Sequence, residues 1–288
     1  MVADWAPPCR AWTADERSWL RGLLAAHRAV LFQDVDPVLR IQLELTAAIG
    51  APVGVRPRWH GRGVIPQVRF ERHDPAPHND VWHADGSWSA HPAAATVIYC
   101  AEATETAAGT QLVDTAAAFE RLPSARQQEL RSRAAFHHVE QAESLRFGAR
   151  PGGDGAGTGS NRVTAAIAFR WESWRAQRRQ GRAIPAPRPT APALPGAVHP
   201  VVGARDGREY VYLGAHAWRL DDEVGADSLD RIDRWMDEIT SSPVIHRWSA
   251  GDLLVFDNRS LLHRREPGPI GPRLLRRTLA SAPGPLED

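Results

Sequence analysis

The strand-forming segments of this chain are short, and turn-forming residues separate them. Apolar runs of strand character lie at 29–32, 94–100, 210–213, 253–256 and 274–279. Apolar residues at helical spacing predict helices at 15–27, 39–49, 115–122, 124–130 and 228–239. Many short strands with few helices predict a mainly β protein of the α+β class. Its core is expected to be a β-sandwich or jelly roll with helices packed outside.

Three helix ends carry capping signals. Thr13 precedes the first helix, where its hydroxyl can accept a hydrogen bond from a free backbone N–H of the first turn. Gly50 follows the second helix and is expected at the C′ position, where glycine commonly adopts a left-handed conformation. Asp114 or Thr115 is expected to cap the third helix, which ends at Pro123.

Length and charge exclude several classes of protein. The chain has 288 residues, 43% of them hydrophobic, which is enough for a large domain with a sizeable core. A formal net charge of +1 gives no reason to expect nucleic acid or a membrane surface as a partner. We find no long apolar run and no basic segment leading into one, so neither a transmembrane helix nor a signal peptide is expected.

The lysine and cysteine content restricts the reactions this protein can catalyse and the cellular compartment expected for it. The sequence contains no lysine, which rules out Schiff-base enzymes, including those that use pyridoxal phosphate, and the Walker A phosphate loop. Cys9 and Cys100 are the only cysteines. A single optional pair is not a disulfide framework, so a cytoplasmic location is expected.

Two distant segments carry candidate metal ligands. His83 and Asp85 are two residues apart, so in an extended segment both side chains point to one face, and Gly86 lets the backbone turn away. His263 follows the apolar run at 253–256 and a turn. Two imidazoles and one carboxylate form the facial triad of non-heme Fe(II) oxygenases, which leaves open positions on the metal.

The residues alone leave other interpretations open. A His-x-Asp pattern occurs about once by chance in a chain with this many His and Asp residues. His78 and Asp80 form a second match, out of phase with the first. His263 by itself also fits a hydrogen-bonded surface histidine beside Arg264 and Arg265.

The order of the motifs resembles that of the taurine dioxygenase (TauD/TfdA) family of Fe(II)- and 2-oxoglutarate-dependent oxygenases. The motifs are Trp82-His83-x-Asp85, Trp248-x-x-Gly251-Asp252, Asp257-Asn258-Arg259-x-x-x-His263, and the pair Arg273 and Arg277. The resemblance runs in outline from His27 to Leu279 and is poor from 141 to 196. It implies one domain over 1–288 with a double-stranded β-helix (jelly-roll) core. It also implies that His83, Asp85 and His263 bind the catalytic iron.

The resemblance further implies which residues bind 2-oxoglutarate. Thr110 and Arg273 match the family positions for this co-substrate, and a guanidinium fork suits its distal carboxylate. The family usually has Gly-Gly-Asp before the threonine, whereas this chain has Ala107-Ala108-Gly109.

Four residues are candidates for contact with the substrate. Arg277 matches a family arginine that faces the substrate side or supports the co-substrate. Trp82, Trp88 and Asn79 are further candidates for substrate contact. Gly-rich and Pro-rich stretches predict a mobile lid or insert at about 141–196.

The activity implied by the resemblance is oxidation of an unactivated C–H bond, such as hydroxylation. The substrate is expected to be a small organic acid, amino acid or secondary metabolite. Fe(II) and O2 are the expected cofactors, and 2-oxoglutarate is converted to succinate and CO2. Asp85 argues against halogenation, because related halogenases have a small residue there. Family members often form dimers or tetramers, so a homodimer or homotetramer is expected.

The sequence also fits two other functions. The chain fits a jelly-roll protein that binds a metal or small ligand without turnover. It also fits a metal-dependent hydrolase, in which zinc would use the same three ligands.

Overall fold

The computed structural model describes most of the chain. It covers residues 1–3, 5–55, 65–66, 69–72, 81–138, 196–221, 226–267 and 271–281. The predicted lid at about 141–196 lies outside the described residues apart from Gly196, and so do His78, Asn79 and Asp80. None of the described helices is long and apolar enough to cross a membrane.

The described residues form sixteen strands and five helices. The strands are β1 (Val2–Ala3), β2 (Ala29–Phe32), β3 (Gly54–Val55), β4 (Ile65–Pro66), β5 (Arg69–Arg72), β6 (Ala93–Ala103), β7 (Thr110–Asp114), β8 (Ala134–His138), β9 (Gly196–Pro200), β10 (Val202–Arg205), β11 (Arg208–Val211), β12 (Ala217–Leu220), β13 (Val244–His246), β14 (Leu253–Asp257), β15 (Leu261–Arg265) and β16 (Arg273–Ser281). The helices are α1 (Ala14–His27), α2 (Leu39–Ile49), α3 (Thr115–Arg121), α4 (Ser124–Arg131) and α5 (Ala226–Ile239). The predicted mainly β class with flanking helices is confirmed.

Six strands form the main sheet, in the order β1-β2-β14-β6-β16-β5. β1 and β2 are parallel, and the other neighbours are antiparallel. Residues such as Val97 on β6 and Val255 on β14 are fully buried, because both faces of the central strands are covered. Four of the strands predicted from apolar runs lie in this sheet.

Helices α1 and α2 cover one face of the main sheet. Leu20 and Leu24 of α1 and Leu45 of α2 pack into one apolar cluster with Val30 and Val255 of the sheet. Removal of this apolar surface from water stabilises the layer.

Thr13 caps α1 as predicted. Its hydroxyl accepts the backbone N–H of Glu16 at 3.3 Å, and the Glu16 carboxylate accepts the backbone N–H of Thr13 at 2.7 Å. This reciprocal capping box satisfies N–H groups that have no partner inside the helix. Asp114 caps α3 in a similar way, through the N–H groups of Ala116 and Ala117.

Gly50 ends α2, but the left-handed conformation predicted for it is wrong. Its φ is −168°, which is extended backbone open to any residue. A Cβ atom at this position would lie 2.0 Å from the carbonyl oxygen of Ser281. Glycine is therefore needed because α2 and β16 approach closely here, and not because the backbone is left-handed.

A second sheet, β13-β7-β15, lies opposite the main sheet. Leu112 and Leu261 of the second sheet meet Ile98, Phe256 and Leu275 of the main sheet in one buried cluster. Two facing, mainly antiparallel sheets with this apolar interior form the predicted jelly-roll core.

The chain around His83 extends the second sheet beyond β15. The backbone N–H groups of His83 and His263 each donate to the other residue's carbonyl oxygen at 3.0 Å. On its other side, the Trp82 carbonyl accepts the N–H of Ala215 at 2.7 Å. Two segments that are distant in sequence therefore become neighbours in the middle of one layer.

Candidate metal centre

His83, Asp85 and His263 converge at one end of the jelly-roll core. Their potential ligand atoms all lie within 4.8 Å of one another, and all three side chains are buried. The His83 and His263 ring centroids are 4.2 Å apart, and His263 Nε2 is 3.7 Å from Asp85 Oδ2. The structure thus brings together the three residues predicted to bind the metal.

The backbone explains this convergence. His263 belongs to β15, and the antiparallel bridge places His83 directly beside it. Gly86, with φ of +70°, then turns the chain immediately after Asp85. The segment with His83 and Asp85 is extended only locally and forms an isolated bridge, not a regular strand.

Hydrogen bonds fix the orientation of two of these side chains. His83 Nδ1 lies 2.8 Å from the Val81 carbonyl oxygen, which can only accept, so Nδ1 carries a proton; in the neutral imidazole the Nε2 lone pair is then available to a metal. The Thr96 hydroxyl donates to Asp85 Oδ2 at 2.8 Å, and Arg277 pairs with Asp85 Oδ1. Bonds of this kind orient metal ligands in many proteins.

Burial and neighbouring charges set the protonation of the cluster. Burial by itself raises the pKa of Asp85, but Arg277, the two imidazoles and the Thr96 hydroxyl together hold that pKa well below its usual range. Burial and then the nearby His83 lower the pKa of His263 to about 3. Asp85 is therefore ionised and His263 neutral near pH 7, which are the protonation states that metal ligands require.

The donor set fits a divalent first-row metal ion. Two neutral imidazoles and one carboxylate suit Fe(II), and the same set also suits zinc. Three protein ligands leave the remaining positions of the metal open to small molecules, as a catalytic site requires.

A pocket adjoins the cluster and contains both residues predicted to bind 2-oxoglutarate. Thr110, Arg273 and Leu275 line it together with His83 and His263. The Thr110 hydroxyl accepts the indole N–H of Trp248 at 2.9 Å. Arg273 donates to the backbone carbonyl oxygens of Ala108 and Gly109.

The predicted substrate residues have different surroundings. Arg277 lines the pocket and pairs with Asp85, a contact that the sequence did not predict. Trp82 is buried in an apolar cluster, and the Arg264 guanidinium lies 4.4 Å from the centre of its ring. Trp88 is half-buried against the ring of His216, with centroids 4.6 Å apart. Asn79 lies outside the described residues. Substrate contact by these residues stays a prediction.

Sequence reasoning assigned no role to three residues of the site. Thr96, Asn258 and Arg265 all lie on or next to strands that face the pocket or the metal cluster. Asn258 belongs to the Asp-Asn-Arg motif, which was the available signal. The sequence around Thr96 and around Arg265 contained no signal for a role in the site.

Fold and cluster together define a class: jelly-roll proteins with a buried two-histidine, one-carboxylate centre. Within it, a family model described as "Taurine catabolism dioxygenase TauD, TfdA family" matches residues 7–279. The chain belongs to this family of 2-oxoglutarate-dependent dioxygenases, as its motifs predicted.

Two curated relatives carry related names. Over 190 residues the chain is 25% identical to the alpha-ketoglutarate-dependent 2,4-dichlorophenoxyacetate dioxygenase of Cupriavidus pinatubonensis, covering 65% of this chain and 54% of the relative. Over 72 residues it is 38% identical to the (S)-phenoxypropionate/alpha-ketoglutarate-dioxygenase of Delftia acidovorans, covering 24% of this chain and 23% of the relative. The chain thus spans about half the length, or less, of these relatives.

Solved structures of similar fold cover nearly all of the chain. AAD-2 in complex with Mn(II) and N-oxalylglycine has a TM-score of 0.71 at 16% identity, over 99% of this chain and 94% of that one. A putative alpha-ketoglutarate dependent 2,4-D dioxygenase from Burkholderia xenovorans has a TM-score of 0.67 at 17% identity, over 95% and 90%. At these identities the likeness concerns the fold, and it confirms the jelly-roll architecture.

Proposed function

We propose that this protein is an Fe(II)- and 2-oxoglutarate-dependent oxygenase that oxidises a C–H bond of a small organic acid. The convergence of His83, Asp85 and His263 beside a pocket with Arg273 and Thr110 is the observation that carries the proposal. Membership of a dioxygenase family supports it.

Each group has a defined task in this proposal. His83, Asp85 and His263 would hold Fe(II), which supplies O2 activation coupled to the conversion of 2-oxoglutarate into succinate and CO2. Arg273 would pair with the distal carboxylate of 2-oxoglutarate through its planar fork, and the Thr110 hydroxyl would donate to the same group.

The protein's own side chains orient the metal ligands and form the pocket wall. Thr96 and Arg277 hold the Asp85 carboxylate in one orientation, so the donor set is preorganised before a metal arrives. Leu275 and Ile98 form the apolar part of the pocket wall, and the other lining residues are polar or charged.

The proposed substrate class is a small carboxylate. The names of both curated relatives specify aryloxy carboxylic acids. Arg277 pairs with Asp85 through Nη1, and its remaining N–H groups at the pocket wall would bind the substrate carboxylate. Asp85 keeps the carboxylate ligand, which favours hydroxylation over halogenation.

Succinate release is the direct test. Purified protein with Fe(II), ascorbate, 2-oxoglutarate and O2 should release succinate when given one member of a panel of aryloxy acids, other small acids and amino acids. His263→Ala should release none, because one of three metal ligands is lost. Arg277→Ala should raise KM for the substrate far more than KM for 2-oxoglutarate, and equal increases would contradict its role.

The two alternative functions give different results. The oxygenase should show the weak visible charge-transfer band of Fe(II) with 2-oxoglutarate under anaerobic conditions. Absence of this band, with no succinate released in air, would favour a protein that binds without turnover. A hydrolase would turn over with Zn(II) in the absence of both O2 and 2-oxoglutarate.

A single domain, a cytoplasmic location and a homodimer or homotetramer remain predictions. Size-exclusion chromatography with light scattering gives the oligomeric state directly.

A further inference from the structure

Arg265 is a buried guanidinium in the pocket that has no acceptor among the described residues. The side chain is only 8% exposed, and Nε and Nη2 are both buried without a hydrogen-bond partner. Leaving a charged donor unpaired in this way costs free energy, so a protein retains it only where something repays the cost.

The position of Arg265 on β15 directs it to the co-substrate end of the pocket. Arg265 pairs in register with Thr110 of β7, and His263 is two residues earlier on the same strand. Residues two apart on a strand share a face, so Arg265, Thr110 and His263 all face the pocket, which all three line. Arg265 is therefore on the Thr110 side of the metal cluster.

The other pocket arginines already have partners. Of the described residues that line the pocket, four are arginines and none is acidic. Arg264 bonds to Gln111 Oε1 at 2.6 Å, Arg273 to two backbone carbonyls, and Arg277 to Asp85. Of these four arginines, only Arg265 has a guanidinium without an acceptor among the described residues, and the pocket carries an excess of positive charge.

We propose that Arg265 is a third anchor for the distal carboxylate of 2-oxoglutarate, beside Arg273 and Thr110, and that it determines co-substrate specificity. This inference rests on the proposed function. A carboxylate offers about four lone-pair sites. A bidentate Arg273 and the Thr110 hydroxyl would use three of them, which leaves one for Arg265.

Ligand binding to the Mn(II)-loaded protein tests the proposal without turnover. Calorimetry should show that Arg265→Met raises the Kd of N-oxalylglycine about 10- to 100-fold, the usual loss for a hydrogen bond to a charged group. The Kd of Mn(II) itself should stay within about twofold. In succinate assays, Arg265→Met should also reduce the preference for 2-oxoglutarate over 2-oxopentanoate, which lacks the distal carboxylate.

Thermal unfolding of the ligand-free protein separates this role from a structural one. Arg265→Met should unfold at the same temperature as the wild type or higher, because methionine removes an unpaired buried charge. Arg276→Met is the matched control. Arg276 is also 8% exposed, but it bonds to Gln42 Oε1 at 2.6 Å on the helix side of the main sheet. Its loss should lower the unfolding temperature and leave the N-oxalylglycine Kd unchanged.

The outcomes are distinguishable. If the wild type with Mn(II) fails to bind N-oxalylglycine, the proposed function is wrong. If the wild type binds and Arg265→Met binds equally well, the proposed function stands and the role of Arg265 is wrong. A rise confined to the KM of the primary substrate would also overturn this role.

Discussion

Asn258 holds Asp85 through hydrogen bonds in both directions, across 173 residues of chain. Its Oδ1 accepts the backbone N–H of Asp85 at 2.8 Å, and its Nδ2 donates to the carbonyl oxygens of Asp85 at 2.8 Å and Ala93 at 2.9 Å. Asn258 is fully buried. Because His263 follows five residues later, this amide fixes the two metal-binding segments relative to each other.

Asn258→Ala should therefore weaken metal binding. We expect Mn(II) affinity to fall about 10- to 100-fold, as for other groups that support metal ligands. The free energy of unfolding should fall by about 1–3 kcal/mol, because buried backbone groups lose their partners. Calorimetry and urea unfolding measure the two effects.

Ser260→Ala is the control for this change. Its hydroxyl donates to Asp257 Oδ2 at 2.8 Å in the same turn but contacts no proposed ligand. The Ser260→Ala protein should be somewhat less stable than the wild type and should keep its affinity for Mn(II). A folded Asn258→Ala protein with unchanged Mn(II) affinity would contradict the positioning role.

Trp248→Phe should weaken 2-oxoglutarate binding. The indole N–H occupies a lone pair of the Thr110 hydroxyl at 2.9 Å, which directs the hydroxyl proton elsewhere. Loss of one neutral hydrogen bond should raise the Kd of N-oxalylglycine about 3- to 10-fold, with metal affinity unchanged. Trp235→Phe is the control, because the buried Trp235 N–H has no hydrogen-bond partner among the described residues. Equal effects of both changes would argue against a specific role for Trp248.

Gly109→Asp introduces the residue that the family usually has at this position, and it should destabilise this protein. A Cβ atom there would lie 2.7 Å from the His246 carbonyl oxygen and 2.9 Å from a methyl group of Ile245. The displacement of β13 should cost about 1–3 kcal/mol of unfolding free energy. Gly22→Ala, inside α1 with no atom near its Cβ, should instead stabilise by about 0.5–1 kcal/mol. Urea unfolding of both variants tests the contrast.

His137 should make stability depend on pH below neutrality. Burial, and then the nearby His199, lower the pKa of His137 to about 3, from 6.5 in the unfolded chain. The unfolded chain therefore binds a proton between pH 6.5 and 3 that the folded protein excludes. Stability falls as pH falls through this window, by at most about 1.4 kcal/mol per pH unit for this proton. Urea unfolding at several pH values should show that the free energy of unfolding falls less at low pH for His137→Phe than for the wild type. Parallel plots of this free energy against pH would contradict the prediction.

The prediction of regular elements from sequence succeeded where the signal was local. Thr13 and Asp114 cap their helices as expected, because a cap depends on a few neighbouring residues. The continuous apolar run at 253–256 became a central strand for a similar reason. The strands β8, β12 and β13 were not predicted, because their pairing partners are distant and their patterns are weak.

At Gly50 the local rule for helix ends predicted the wrong reason for the glycine. Glycine after a helix usually serves a left-handed turn, yet here it admits the backbone of Ser281, which only the folded chain brings near.

The sequence by itself determined the ligand types, the jelly-roll class and the family, because each is encoded in short motifs and periodic patterns. Only the tertiary structure decided that His83 and His263 share one backbone bridge, that Asn258 clamps Asp85, and that Arg265 faces the pocket without a partner. These are contacts between segments of chain separated by up to about 180 residues, and they depend on strand register. A shift of one residue would turn each side chain to the opposite face, and no local pattern records that choice.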